Sequence, residues 1–272
     1  MHWLERPDWA PGEIDLERPS VARVYDYYLG GSHNFAVDRQ LAQRAIRLMP
    51  DLPLIMQANR AFLRRAVRFL LAAGVRQFLD IGSGIPTVGN VHEIVHASDP
   101  DAPVVYVDSD PVAVAHSRAI LEGNRSATVV QCDLRDPRAL FGDPALRAAL
   151  DLSQPVGVLM IAVLHFVPDS DDPAGVVGRL YDEIAPGSYL ALTHATADGD
   201  QANARAVGEL YAQSPSPLVL RSRAEVSALF KGFSPIDPGI VFLPVWRPES
   251  ERDSHAHEAE RFSGYAGVGL RT

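Results

Sequence analysis

Phe78-Leu79-Asp80-Ile81-Gly82-Ser83-Gly84-Ile85-Pro86-Thr87 decides the fold. Apolar residues around one acid suit a strand covered on both faces, as in a parallel sheet. Gly82 and Gly84 lack a Cβ, so the chain can bend sharply there and bring its backbone close to a ligand. In open α/β sheets the crevice past the carboxyl end of the first strand is where nucleotide-like cofactors bind.

Downstream, strand and helix patterns alternate, which implies a parallel sheet with helices on both faces. Strands are expected at 77–81, 103–107, 128–131, 156–161 and 188–193, with later ones near 234–236 and 264–270. Upstream, helical patterns cover about 20–29, 37–49 and 54–73, with Gly30-Gly31, Pro50 and Pro53, and Gly74 as stops. The third of these should turn Arg60, Arg64, Arg65 and Arg68 outward. The expected organisation is an extended lead-in at 1–19, a helical cap at 20–74 and an α/β core at 75–272. Arg247–Arg261 is charged and reads as a surface loop.

The composition limits the function classes. The 272 residues are 47% hydrophobic and 22% charged, with net charge −9. An acidic chain of this kind is a poor partner for phosphate backbones. The single cysteine, Cys132, cannot close an internal disulfide. With no basic-then-apolar pattern at Met1–Pro7, a cytoplasmic location is expected. The longest apolar run, Val156–Val167, is too short to span a bilayer. His255 and His257 sit in the charged loop and read as solvated surface, so no metal site is expected.

Acidic residues end successive strands. Asp108, 26 positions after Gly82, can accept hydrogen bonds from both hydroxyls of a ribose. Asp133 follows the third strand, where it can accept from an exocyclic amine. His165 and Asp169 follow the fourth. Each has a plainer alternative: a tight turn at 82–84, a helix cap at Asp110 or Asp133, a hydrogen-bonded core histidine at 165. A dinucleotide site would need a third glycine where Thr87 stands, which counts against an NAD-dependent oxidoreductase.

Asp80-x-Gly82-x-Gly84 resembles motif I of the class I S-adenosylmethionine-dependent methyltransferases, although Pro86 replaces that family's third glycine. Pro19–Arg39, Val104–Pro111, Trp246-Arg247-Pro248 and Tyr265–Gly269 resemble, more narrowly, a bacterial methyltransferase family formerly classed as a domain of unknown function. The resemblance implies a Rossmann-like, mostly parallel seven-stranded sheet and S-adenosylmethionine as cofactor. It places Asp80, Gly82, Ser83 and Gly84 at the cofactor, with Asp108 and Ser109 on the ribose. Cys132, Asp133 and Leu134 then meet the adenine, and Ala162 lies nearby.

From the amino-terminal motif, Tyr28, Asn34 and Phe35 would complete the site, Gly30 and Gly31 serving as lid hinges. His33, His165 and Asp169 are the candidate bases. The fourth strand ends Met160-Ile161-Ala162-Val163-Leu164-His165. It lacks the Asn/Asp-Pro-Pro-aromatic signature of amino-methylating DNA enzymes, which favours a small-molecule acceptor. A non-catalytic module sensing the cofactor or its demethylated product would keep the same contacts.

Overall fold

The computed structural model describes residues 16–86, 89–250 and 255–272, so most of the lead-in and part of the charged loop lie outside the described residues. Three helices open the chain: α1 (Val21–Tyr28), α2 (Ala36–Leu48) and α3 (Leu52–Ala72). A mixed sheet follows. Its strands are β1 (Phe78–Ile81), β2 (Val104–Asp108), β3 (Ala127–Gln131), β4 (Gly157–Met160), β5 (Tyr189–Ala195), β6 (Ser234–Pro235), β7 (Val241–Phe242) and β8 (Gly264–Leu270). The intervening helices are α4 (Val91–His96), α5 (Pro111–Ile120), α6 (Pro137–Gly142), α7 (Pro144–Ala149), α8 (Pro173–Glu183), α9 (Gln201–Tyr211) and α10 (Arg223–Ala228).

The strand order is β3-β2-β1-β4-β5-β8-β6, with β7 paired to β8 beside that path. The pairs among β1 to β5 are parallel, and β8 runs antiparallel to β5. The order reverses at β1, between β2 and β4, which opens a crevice at the carboxyl ends of those strands. The sheet thus carries one short strand, β7, beyond the seven expected. Val241 and Phe242 are too brief a run to show alternation in the sequence.

The pleat sorts the core. Phe78, Val104, Tyr106, Leu159 and Ala191 pack toward the face that holds α1–α4 and α9. Leu79, Val105, Val107, Val158 and Leu190 pack toward the face of α6–α8 and α10. Asp80 shares the first face with Phe78, because side chains alternate along a strand.

Two details of the helical cap differ from expectation. Pro53 does not end α2; it sits in the first turn of α3, where a missing N–H costs nothing. Arg65 is buried, and its guanidinium donates to the carbonyls of Trp246 (2.9 Å) and Leu243 (2.9 Å). Arg60 is half-buried, while Arg64 and Arg68 face out and pair with Glu249. The end of the charged loop is also more ordered than a solvated loop: residues 256–262 form a 3-10 turn that buries Phe262.

Two segments of the family resemblance prove to be scaffolding. Trp246 is fully buried, edge-on to Phe62 (5.2 Å) and Phe69 (5.9 Å), and Arg247 lies over the Phe69 ring. In β8, side chains at 267 and 269 would collide with Ile240 and Phe233, so glycine lets the flanking loop lie flat on the sheet.

Candidate functional site

A cleft of about 550 Å³ opens at the carboxyl ends of the parallel strands, roofed by α1, the start of α3 and α9. That volume lies within the range of small-molecule sites. The turn after β1 forms its floor. Gly82 and Gly84 both have positive φ, +70° and +65°, a region that L side chains rarely adopt. At 82 there is also no room: a Cβ would lie 2.3 Å from Val163 Cγ2. At 84 a Cβ would stand in open space.

Asp108 ends β2 at the same mouth. One carboxylate oxygen accepts from the Gly84 N–H (2.7 Å) and the other from the Asp110 N–H (2.8 Å). These bonds fix its orientation and leave lone pairs on both oxygens for further donors. Burial pushes the Asp108 carboxyl up to about 6, against the pull of those two N–H groups. Asp80 is buried, and no donor among the described residues bonds its carboxylate. Burial pushes it up to about 7, with Arg60 pulling down and Asp108 adding a smaller push upward. A buried acid and a half-buried one facing one cleft create a place where a cation is favoured.

Cys132, Asp133 and Leu134 form the wall beyond Asp108, and Ser83, Ser109 and Ala162 also line the cleft. The Asp133 carboxylate is clasped by Arg135, which also reaches Asp171. Ala162 has φ of +56°, and its N–H donates to Thr193 Oγ1 at 2.8 Å. A non-glycine residue in the left-handed region is uncommon and costs of order 1–3 kcal/mol. The cleft thus combines a glycine floor, an oriented carboxylate and further acids along one wall.

The amino-terminal motif divides. Tyr25 and Tyr28 line the cleft. Asn34 and Phe35 do not. The Asn34 amide donates to Asp26 (2.8 Å) and to the Gly31 carbonyl (2.9 Å), closing the turn between α1 and α2. Phe35 packs with Leu16 and Ala22 against Ile85, Val112 and Ala113, beneath the Arg23 guanidinium. Ser20 joins this motif to the core, since its hydroxyl donates to the α5 cap Asp110 and its N–H to Asp38.

Of the candidate bases, His33 stands outside the cleft beside His116, their ring centroids 4.2 Å apart. Asp169 is exposed, also outside the cleft lining, and is bonded to Arg221 at 2.6 Å. His165 does line the cleft. Its Nδ1 accepts from the Ala195 N–H at 3.3 Å, so its neutral form carries the proton on Nε2. Burial, helped by His194 and Arg221, holds it well below the usual histidine range. A ring so placed is a poor proton acceptor.

Sequence reasoning missed Arg221 altogether. It is buried, donates to the carbonyls of Leu164 and Val167, and bonds His194 Nε2 at 2.8 Å. It pins the turn after β4 that walls the cleft. It also missed Tyr211 of α9, whose hydroxyl meets that of Tyr28 at 3.0 Å. A lone arginine and a helical tyrosine carry no motif, so only their positions in the fold reveal them.

The strand order, the glycine turn and the two strand-end acids define a class I S-adenosylmethionine-dependent methyltransferase fold. The model of the S-adenosyl methyltransferase family matches residues 7–272, and the chain belongs to that family. S-adenosylmethionine is its cofactor, and methyl transfer its reaction class. A crystal structure of a DUF574-family protein from Streptomyces avermitilis is 38% identical, with TM-score 0.90, over 95% of this chain and 99% of that one. A candidate methyltransferase from Thermobifida fusca is 36% identical, with TM-score 0.91, over 98% and 100% of the two chains. The pyocyanin biosynthetic protein PhzM, 17% identical over 81% of this chain and 57% of its own, shares the fold at TM-score 0.50. A search of curated proteins found no match. None of these findings favours an oxidoreductase or a sensor. Among the described residues no helix is long and apolar enough to cross a membrane, and no cluster could hold a metal ion.

Proposed function

We propose that the cleft binds S-adenosylmethionine with its ribose on Asp108, its adenine beside Cys132-Asp133-Leu134 and its methionine end over Gly82–Gly84, facing Asp80. The methyl group passes to a small molecule held beyond the ends of β4 and β5. The observation that carries this reading is Asp108, a half-buried carboxylate aimed by two backbone N–H groups at the mouth of a cleft of suitable size.

The bound cofactor supplies an already activated methyl group. The chain contributes position. Gly82 and Gly84 allow close approach, Asp108 sets the register along the ribose, and Asp80 offers negative charge to the cationic end. Near-attack alignment of this kind can remove several kcal/mol from a barrier, roughly 7 or more in favourable cases. With His165 protonated on Nε2 and Asp169 turned to Arg221, the site favours an acceptor whose nucleophilic atom does not depend on either of them for proton removal.

Titration calorimetry with S-adenosylhomocysteine tests the placement. The expected result is a single site, with affinity reduced about 10- to 100-fold in Asp108→Asn, because two charge-assisted hydrogen bonds are weakened. Equal affinity in the variant would remove Asp108 from the site.

A further inference from the structure

Past β4 and β5 the cleft changes character. Its first half carries Asp80, Asp108, Asp110 and Asp133. The other half is walled by Met49 between α2 and α3, Leu52 and Ile55 at the start of α3, Val207 of α9, and Leu218 and Leu220 just after it. The arginines of the lining are Arg60 and Arg135. Arg60 bonds the Gly89 carbonyl, and Arg135 bonds Asp133 and Asp171. The lining histidines, His165 and His194, are kept neutral chiefly by burial. A carboxylate or phosphate entering this half would shed its water and meet no counter-ion. An ammonium would fare no better, because the acids stand at the other end.

The lining also includes Thr193, Thr196, Ser216 and Ser263, and one pair of hydroxyls lies among the apolar side chains just named. The hydroxyls of Tyr28 and Tyr211 lie 3.0 Å apart, both rings being buried and both lining the cleft. Two hydroxyls carry two protons, and their mutual bond uses one. Among the described residues no other group bonds either hydroxyl. Buried donors are normally satisfied, so the second proton calls for an acceptor inside the cleft. Phe166, its ring 6.1 Å from that of Tyr211 and inclined by 31°, adds a wall suited to a flat framework.

We propose that the methyl acceptor is an uncharged, largely apolar ring compound with an oxygen that accepts a hydrogen bond from the Tyr28–Tyr211 pair. Its carbon framework lies against Met49, Leu52 and Leu218. This assignment rests on the cofactor reading above.

The test has two stages. S-adenosylhomocysteine binding is measured first, and its absence would overturn the cofactor reading and this one with it. The protein saturated with S-adenosylhomocysteine is then titrated with 2-naphthol, naphthalene and 2-naphthoate. Naphthol is expected to bind about fivefold or more tightly than naphthalene, the worth of one hydrogen bond. It should exceed naphthoate by about tenfold or more, because the charged group is desolvated unpaired. Tyr28→Phe and Tyr211→Phe singly each leave one proton and keep the preference for naphthol. The double variant, still saturated with S-adenosylhomocysteine, loses that preference while its affinity for naphthalene is unchanged. Failure of naphthol to bind the loaded protein overturns the proposal without touching the cofactor site. So do naphthoate binding as tightly as naphthol, or a preference that survives in the double variant.

Discussion

Replacing Asp80 by asparagine should stabilise the ligand-free protein and weaken its hold on the cofactor. The carboxyl lies buried in β1, and burial raises it from an ordinary 3.8 to about 7. A carboxyl raised on folding holds its proton more tightly in the folded chain than in the unfolded one. Its contribution to stability is therefore intact below pH 3.8 and is lost as pH rises through 7. The integrated cost is about 4 kcal/mol at pH 8 and less than about 2 kcal/mol at pH 5. Asparagine carries no charge and escapes it. At roughly 2 °C per kcal/mol for a chain of this size, Asp80→Asn should melt about 4–8 °C higher at pH 8. The gap should shrink to less than half at pH 5. S-adenosylmethionine, losing the negative charge opposite its cationic end, should bind about tenfold more weakly. Scanning calorimetry at the two pH values, with and without cofactor, reads both effects. A variant less stable than wild type at pH 8, or a gap that does not change with pH, would refute the reasoning.

Three other perturbations follow from the geometry. Gly82→Ala puts a methyl group 2.3 Å from Val163 at a φ of +70°, and should cost about 2–4 kcal/mol in urea unfolding. Gly84→Ala meets only open space, so its cost should stay near 1 kcal/mol; equal losses at the two positions would contradict the distinction. Arg221→Met leaves the Val167 carbonyl without its donor, takes one of two donors from Leu164 and removes the partner of His194; it should cost about 3 kcal/mol, which denaturant titration would show as a lower midpoint.

The parts of this fold that could be read from the sequence are those with local signatures. The buried run at 78–81, the two glycines after it and the acids closing the second and third strands sit where a parallel sheet must place them. Contacts made by residues distant in sequence were not legible. The outward pattern expected for Arg65 fails because the carbonyls of Leu243 and Trp246, some 180 positions on, come to meet it. Asn34 looks like a ligand residue in a Gly-Gly-Ser-His-Asn turn, yet the structure shows its amide closing that turn against Asp26. The apolar half of the cleft joins the start of α3 to the segment after α9. No spacing rule in the chain predicts that these two stretches face each other.

A crystal of this protein soaked with S-adenosylhomocysteine tests the central claim most directly. The account predicts density above Gly82–Gly84, with both ribose hydroxyls about 2.7 Å from the Asp108 carboxylate oxygens and the adenine beside Asp133. Density for the compound elsewhere on the molecule, with Asp108 still holding only the N–H groups of Gly84 and Asp110, would contradict it.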